Sequence, residues 1–444
     1  MIFRVLFIWI LAVACLVSWW LVRGEAASSP SADQPFLAEG LPVDRITDVE
    51  INFRDGESIT LQRTGNQWQQ LEPFPVGVDA YTARQLATTA TTLRGLKGFS
   101  LDDPADPRRA RLGLETPPAT ITWRWDEGSL TLKLGNVTMG GRAWVALEDG
   151  AYAWLVDSSL HARLFEIDPR LWRDGALLPD AGVETRVVAI EAGGQQLLLE
   201  KQPTGWVMLA PVATRADAAS IEDWLARLSR ARALGYLYDQ PDDLARFGLE
   251  PPVATIQLQG RLKDDRTVLL LGDPIGVGSS DRYALVEGSP TILRLGEDVQ
   301  RVLVPSTGML VDPTGTAVVR EDVARLEIRH PSGVGDFSLA REFDGWLLTP
   351  DGGTSRPVSR AAAAGLLGQL TEARASEISF SDYPVELEQA VVVLYGFDGS
   401  PLDAIRIIRE ENGGRWALEN GDNVLRIFSV EFSPQIDASQ YGPA

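Results

Sequence analysis

Cysteine is almost missing. Cys15 is the single one in 444 residues, so neither an intrachain disulfide nor a cysteine-ligated zinc site can form. Histidine is nearly as scarce: His161 and His330 are the only two, and neither has a second histidine at metal-ligand spacing. His161 in "SSLHARLF" reads as a helix-surface residue, and His330 in "EIRHPSG" reads as the end of a strand before a turn. No metal, cofactor or histidine-based catalytic dyad is expected. Positive charge is also in deficit, with 41 basic against 61 acidic residues and a net charge of −20. Proteins that neutralise phosphates carry basic patches, so nucleic acid is excluded as a partner.

Long hydrophobic runs are absent apart from one, residues 5–22, "VLFIWILAVACLVSWWLV". Eighteen helical residues reach about 27 Å, close to the ~30 Å hydrocarbon core of a bilayer. A cleaved signal peptide is the competing reading, but its apolar segment usually runs to only about 7–15 residues. The expectation is an uncleaved transmembrane signal-anchor over 1–23 with its N-terminus in the cytoplasm, followed by a tether over 24–45 containing "GEAASSPSADQP". The bulk of the chain would then be periplasmic, held to the bacterial inner membrane by a single pass.

What is present is a repeat. Alternating strands broken by Asp-Gly and Gly-Asn turns end at Trp68, and the same pattern ends at Trp206 and Trp346, 138 and 140 residues apart. A helical stretch opened by Asp79, Asp217 or Ser359 follows each set, and then strands return. The pattern predicts an α+β fold of three mainly antiparallel strands–helix–strands units. They span 46–170, 186–301 and 321–444, with connectors at 171–185 and 302–320.

Within the repeat, "LGLETPPATITWRW" (112–125) and "FGLEPPVATIQLQG" (247–260) are near-doubles. Asp106 and Asp242 stand where they would cap a short helical turn. Gly113 and Gly248 fall at the position past the turn that wants a left-handed residue, and Leu114 and Leu249 fall where the following apolar contact belongs. The prolines then force the chain into a strand. The copied phrase reads as punctuation, and Glu115 and Glu250 read as bystanders to it.

Other candidates for chemistry are thin. "GVGSSD" (276–281) has glycines at phosphate-loop-like spacing but no Lys-Ser/Thr, and a strand follows it instead of a helix. The pairs Asp102-Asp103 and Asp242-Asp243 lack the alternating ligand spacing of a calcium loop. Trp123 shares a strand face with Ile121 and is expected in the core, whereas Trp125 matches Gly260 of the second copy and is the candidate surface contact.

The strand–turn–strand–Trp–Pro opening, the Gly-Leu-Glu step, the hairpin "LLLGDPIGVGSSDRYALV" (269–286) and the connector "LWRDGALLPD" resemble the bacterial domain-of-unknown-function 4340 family. The third unit departs from the pattern, with "YPVELEQAVVVLYG" (383–396) in place of the Gly-Leu-Glu step. The family has no established activity, so the resemblance carries over no catalytic residue. It implies a membrane-anchored extracytoplasmic protein found beside ABC-type transport systems of the gliding-motility class. The expected function is therefore a non-enzymatic, membrane-tethered interaction or scaffold protein whose partners are proteins of such a complex. Two alternatives stand beside it: a glycan- or small-ligand-binding module using aromatics such as Trp125, and an acid-pair hydrolase whose carboxylates converge from distant positions.

Overall fold

Each sequence copy folds into one nine-stranded antiparallel sheet. The computed structural model describes residues 35–103, 106, 109–262, 265–343, 345–381, 387–410 and 414–442. In the first copy the strands are β1 (Asp48–Phe53), β2 (Ser58–Thr64), β3 (Gln67–Glu72), β4 (Val76–Val78), β5 (Lys97–Ser100), β6 (Ala119–Trp125), β7 (Gly128–Thr138), β8 (Arg142–Leu147) and β9 (Tyr152–Asp157). Their order across the sheet is β4-β3-β2-β1-β6-β7-β8-β9-β5. Two meanders thus meet at the central β1–β6 pair, where Ile51 lies opposite Ile121. The second copy (β10–β18, within 187–295) and the third (β19–β27, within 325–427) take the same order.

Period-two burial shows why these segments are strands. Val49 and Ile51 of β1 and Ile121 and Trp123 of β6 are fully buried, while the residues between them are not. Helix α1 (Ala80–Thr91) follows the edge strand β4 and leads to β5 at the opposite edge. It buries Ala83, Leu86, Ala87 and Ala90 in the core of that sheet, the spacing of one helical face. Its N-terminus is capped by Asp79, whose carboxylate accepts from the Thr82 amide at 2.9 Å. Two short helices, α2 (Arg109–Leu112) and α3 (Ser159–Phe165), complete the unit.

The second and third copies use α4 (Ala218–Ser229) and α6 (Arg360–Thr371) in the place of α1, with α5 (Glu297–Leu303) closing the second. Asp217 caps α4 through the Ala219 amide, whereas Ser359 makes no side-chain cap to α6. Trp68, Trp206 and Trp346 are buried at matching places in the three cores.

Two expectations are corrected here. The fold is mostly β, 42% strand against 19% helix, and not α+β. The helical signal was real, but each twelve-residue helix is set against nine strands. Some strands, such as the three-residue β4 and the two-residue β13 (Thr214–Arg215), are too short to show alternation. The single-pass membrane placement is also overturned: among the described residues no helix is long and apolar enough to cross a membrane. The longest described helices have twelve residues, against the ~20 that a span needs. The apolar run at 5–22 and the tether up to residue 34 lie outside the described residues.

The chain divides into two compact units, one ending at Gly175 and one from Ala176 onward that holds the second and third sheets. In the first, Val78 of β4 bridges Arg173, and the Asp79 amide donates to the Trp172 carbonyl. In the second, the connector 302–320 is a two-sided strap. Val311 bridges Ala216 beside β13, and Thr314 bridges Arg374 just past α6, so one short segment is hydrogen-bonded to both repeats.

Candidate functional site

The repeated Gly-Leu-Glu phrase forms a tight turn in both described copies. Gly248 has φ 63° and Gly113 has φ 69°, the left-handed region that a Cβ disfavours. In the second copy the Leu249 amide donates to the Leu244 carbonyl at 3.2 Å and the Gly248 amide to Ala245 at 3.0 Å, the paired bonds of a Schellman motif. The first copy has the Gly113-to-Ala110 bond at 3.4 Å, and the Asp106 carbonyl accepts from the Arg109 amide. Asp242 does not cap the second turn; the carboxylate that accepts from the Ala245 amide belongs to Asp243. Leu249 is buried and Leu114 half-buried. Glu115 is an exposed neighbour of Arg109, and Glu250 is exposed with no ion pair among the described residues.

The turn has a second half that sequence reading missed. A Cβ on Gly135 would meet the Leu112 carbonyl oxygen at 2.3 Å, and one on Gly272 would meet that of Phe247 at 2.1 Å. Both glycines lie in a bulged stretch, of β7 and of β16 (Arg266–Pro274), so the turn seats its backbone directly on the strand. Ile408 occupies the equivalent place in the third copy, where it is buried with Ala417 and Ile427. The "LGN" and "LGD" triplets at 134–136 and 271–273 were the available signal.

Each histidine is held by one protein partner. His161, expected on a helix surface, is 2% exposed, with Nε2 3.0 Å from the Gly135 carbonyl oxygen and Nδ1 unpartnered. It is a core residue because α3 packs it against the same bulge that receives the turn. Burial pushes its pKa below the ordinary histidine value, and the Gly135 hydrogen bond offsets only part of this. His330 ends its strand as expected, and both its amide and its ring Nδ1 lie against the Asp336 carboxylate. Among the described residues no group of three His, Cys, Asp or Glu side chains is placed to hold a metal. The loop 276–281 is a hairpin loop between β16 and β17 (Arg282–Val286). Trp125 is half-buried against the first core, with its ring over Gly128 across the β6–β7 turn. That placement packs one part of the ring at the strand end.

Sequence reading also missed a buried charge cluster in the second unit. Arg426 is 0% exposed. Its guanidinium donates to both Asp422 oxygens at 2.8 and 3.2 Å, to Thr214 Oγ1 at 3.1 Å and, from Nε, to the Asp312 carbonyl at 2.9 Å. Burial alone would raise the Asp422 carboxyl, but the hydrogen bonds and charge of Arg426 prevail and hold it below the ordinary value. Arg374 pairs in turn with Asp217. These contacts tie the third repeat and the strap to β13 of the second. An arginine inside the apolar strand "NVLRIF" was the one visible sign.

A cavity of about 1150 Å³ lies where the second and third repeats and the strap meet. One wall is the end of the β10 (Val187–Ala192) and β11 (Gln195–Gln202) hairpin. Its two-residue turn, Gly193-Gly194, has φ 57° and 77°, both left-handed as a type I′ turn requires. The floor is Pro251–Pro252 and the start of β15 (Ala254–Gln259), and the far wall combines strap residues 305–308 with Ile378 and Phe380 from β23 (Glu377–Ser379) and the residue after it. Glu191 is the sole ionisable residue in the lining. It lies in register with Gln196 on one side and Thr255 on the other, and its Oε1 accepts from the Gln196 amide at 3.1 Å.

Fold and groove together define a protein of repeated antiparallel β-sheets with a proline-lined cleft that carries a single carboxylate. The chain belongs to the family described as "Domain of unknown function (DUF4340)", whose pattern matches residues 80–241 and 206–390. The matches are out of phase with the fold: each begins inside one repeat and ends inside the next, and the second carries membership into the divergent third sheet. No curated protein matches the chain. Two solved structures are similar over most of their length. They are a DNA polymerase III subunit beta from Borrelia burgdorferi (7% identity, 88% of this chain and 91% of that one, TM-score 0.13) and a DNA polymerase III subunit beta DnaN sliding clamp from Bartonella birtlesii (10% identity, 89% and 96%, TM-score 0.12). At such TM-scores neither bears on fold or activity.

Proposed function

We propose that this protein is a non-enzymatic interaction protein that docks an extended segment of a partner polypeptide in the groove of its second unit. It would serve as an auxiliary component of an ABC-type transport or envelope complex, the partner class that the family resemblance implies. The observation that carries the reading is the groove's chemistry. Its lining of turn backbone, four prolines, Val253, Ile378, Phe380 and uncharged hydrogen-bonding side chains suits an extended peptide, which offers alternating apolar and main-chain polar groups. An acid-pair hydrolase needs two carboxylates flanking one bond, and the lining of this groove holds one.

A photo-crosslinking residue placed at Val253, exposed on the groove floor, tests this in cells. We expect capture of a polypeptide component of the transport complex, and loss of that capture when Phe380→Ala is added. Loss of cellular function in a folded, normally abundant His330→Ala protein that still forms the crosslink would sink the non-enzymatic reading.

A further inference from the structure

We infer that the groove selects a segment that is cationic and otherwise uncharged, and that Glu191 is the group that reads the cation. This rests on the docking reading above and narrows it. In a chain where 23% of residues are charged, only one of the eighteen lining residues is, and none is basic. A carboxylate or phosphate on the incoming segment would find no counter-charge there, in a molecule of net charge −20. A lysine or arginine would find Glu191.

The geometry leaves that carboxylate ready for a ligand. Gln196 donates to Oε1, which fixes the side chain with a neutral group and leaves its charge uncompensated; Oε2 has no protein partner among the described residues. Glu250 precedes the lining residue Pro251 and is likewise exposed and without an ion pair among the described residues. Apolar contact from Phe380, Ile378 and Val253 supplies affinity, and the carboxylate supplies discrimination. The occupant is therefore an extended stretch of a partner protein carrying lysine or arginine among proline, small and aliphatic residues.

Three labelled ten-residue peptides of alternating proline, valine and threonine, differing only in two central residues (Lys, Gln or Glu), test this against the full chain by fluorescence anisotropy. At low ionic strength we expect the lysine peptide to bind about tenfold more tightly than the glutamate peptide, with glutamine between them. In Glu191→Gln the lysine-to-glutamate ratio should fall to within about threefold while the glutamine peptide is unaffected. Phe380→Ala should weaken all three. A lysine preference that persists in Glu191→Gln would belong to the overall charge of the chain and would overturn the role of Glu191. Equal binding of all three peptides, still weakened by Phe380→Ala, overturns charge selection but leaves groove docking standing. No saturable binding, or binding indifferent to Phe380→Ala, overturns both.

Discussion

At the residue scale, His161 shows what a lone buried imidazole does to a domain. Its ring is buried, its Nε2 is committed to the Gly135 carbonyl and its Nδ1 has no acceptor, so the neutral form is the one that fits. The folded-state pKa lies below the unfolded one. The unfolded chain therefore binds the extra proton first, and the stability that the neutral ring contributes is present above roughly pH 6.5 and lost as pH falls through the depressed folded value. We expect the denaturation midpoint of the first unit to drop between pH 7.5 and 5.5, and His161→Gln, which cannot titrate, to flatten that drop. An unchanged pH profile in the variant would show that other groups carry it. His161 also marks a limit of sequence reading, since a seven-residue helix with apolar residues before and after the histidine has no decisive periodicity.

At the scale of elements, the Gly-Leu-Glu turn and the bulge glycine form one joint made of two sequence-distant halves. The first half was legible because capping leaves a local signature; the second was not, because the closeness of Gly272 to the Phe247 carbonyl exists only once β16 is folded beside the turn. The difference predicts an order of damage. Gly248→Ala places a Cβ in the left-handed region, at about 1–2 kcal/mol; it would meet the movable Asp273 carboxyl at 2.5 Å and, less closely, the Asp273 backbone nitrogen at 2.8 Å. Gly272→Ala drives a Cβ into backbone at 2.1 Å, and should reach the upper end of the ~1–3 kcal/mol that overpacking costs. Urea midpoints of the two variants decide it, and a smaller loss for Gly272→Ala would mean the turn is not seated on the strand. The third sheet agrees with this account: where the Gly-Leu-Glu phrase is gone, the glycine is gone too, and Ile408 stands at its register position, buried with Ala417 and Ile427.

At the scale of the whole molecule, the threefold repeat, its tryptophan anchors and its strand-rich openings were readable from local patterns. The joining of the second repeat to the third was not, since it depends on side chains more than 200 positions apart, such as Thr214 and Arg426. Arg426 is buried among Asp422, Thr214 and the strap carbonyl of Asp312, so removing it alone strands a carboxylate that burial disfavours. We expect Arg426→Met to cost about 3–5 kcal/mol, as breaking one side of a buried pair does. Combining it with Asp422→Leu should recover much of that loss, because two apolar groups of similar size leave no charge uncompensated. Hydrogen exchange locates the effect: in the single variant, protection should fall in strap residues 305–314 and at β13 before it falls at the buried centre of β15. The groove spans the same joint, with Pro251 and Val253 on one repeat and Ile378 and Phe380 on the other. Peptide affinity should therefore fall in Arg426→Met even under conditions where both sheets remain folded, and return in the double variant. If the single variant kept full affinity while its strap lost protection, the groove would be shaped by each repeat alone and the buried cluster would be a matter of stability only.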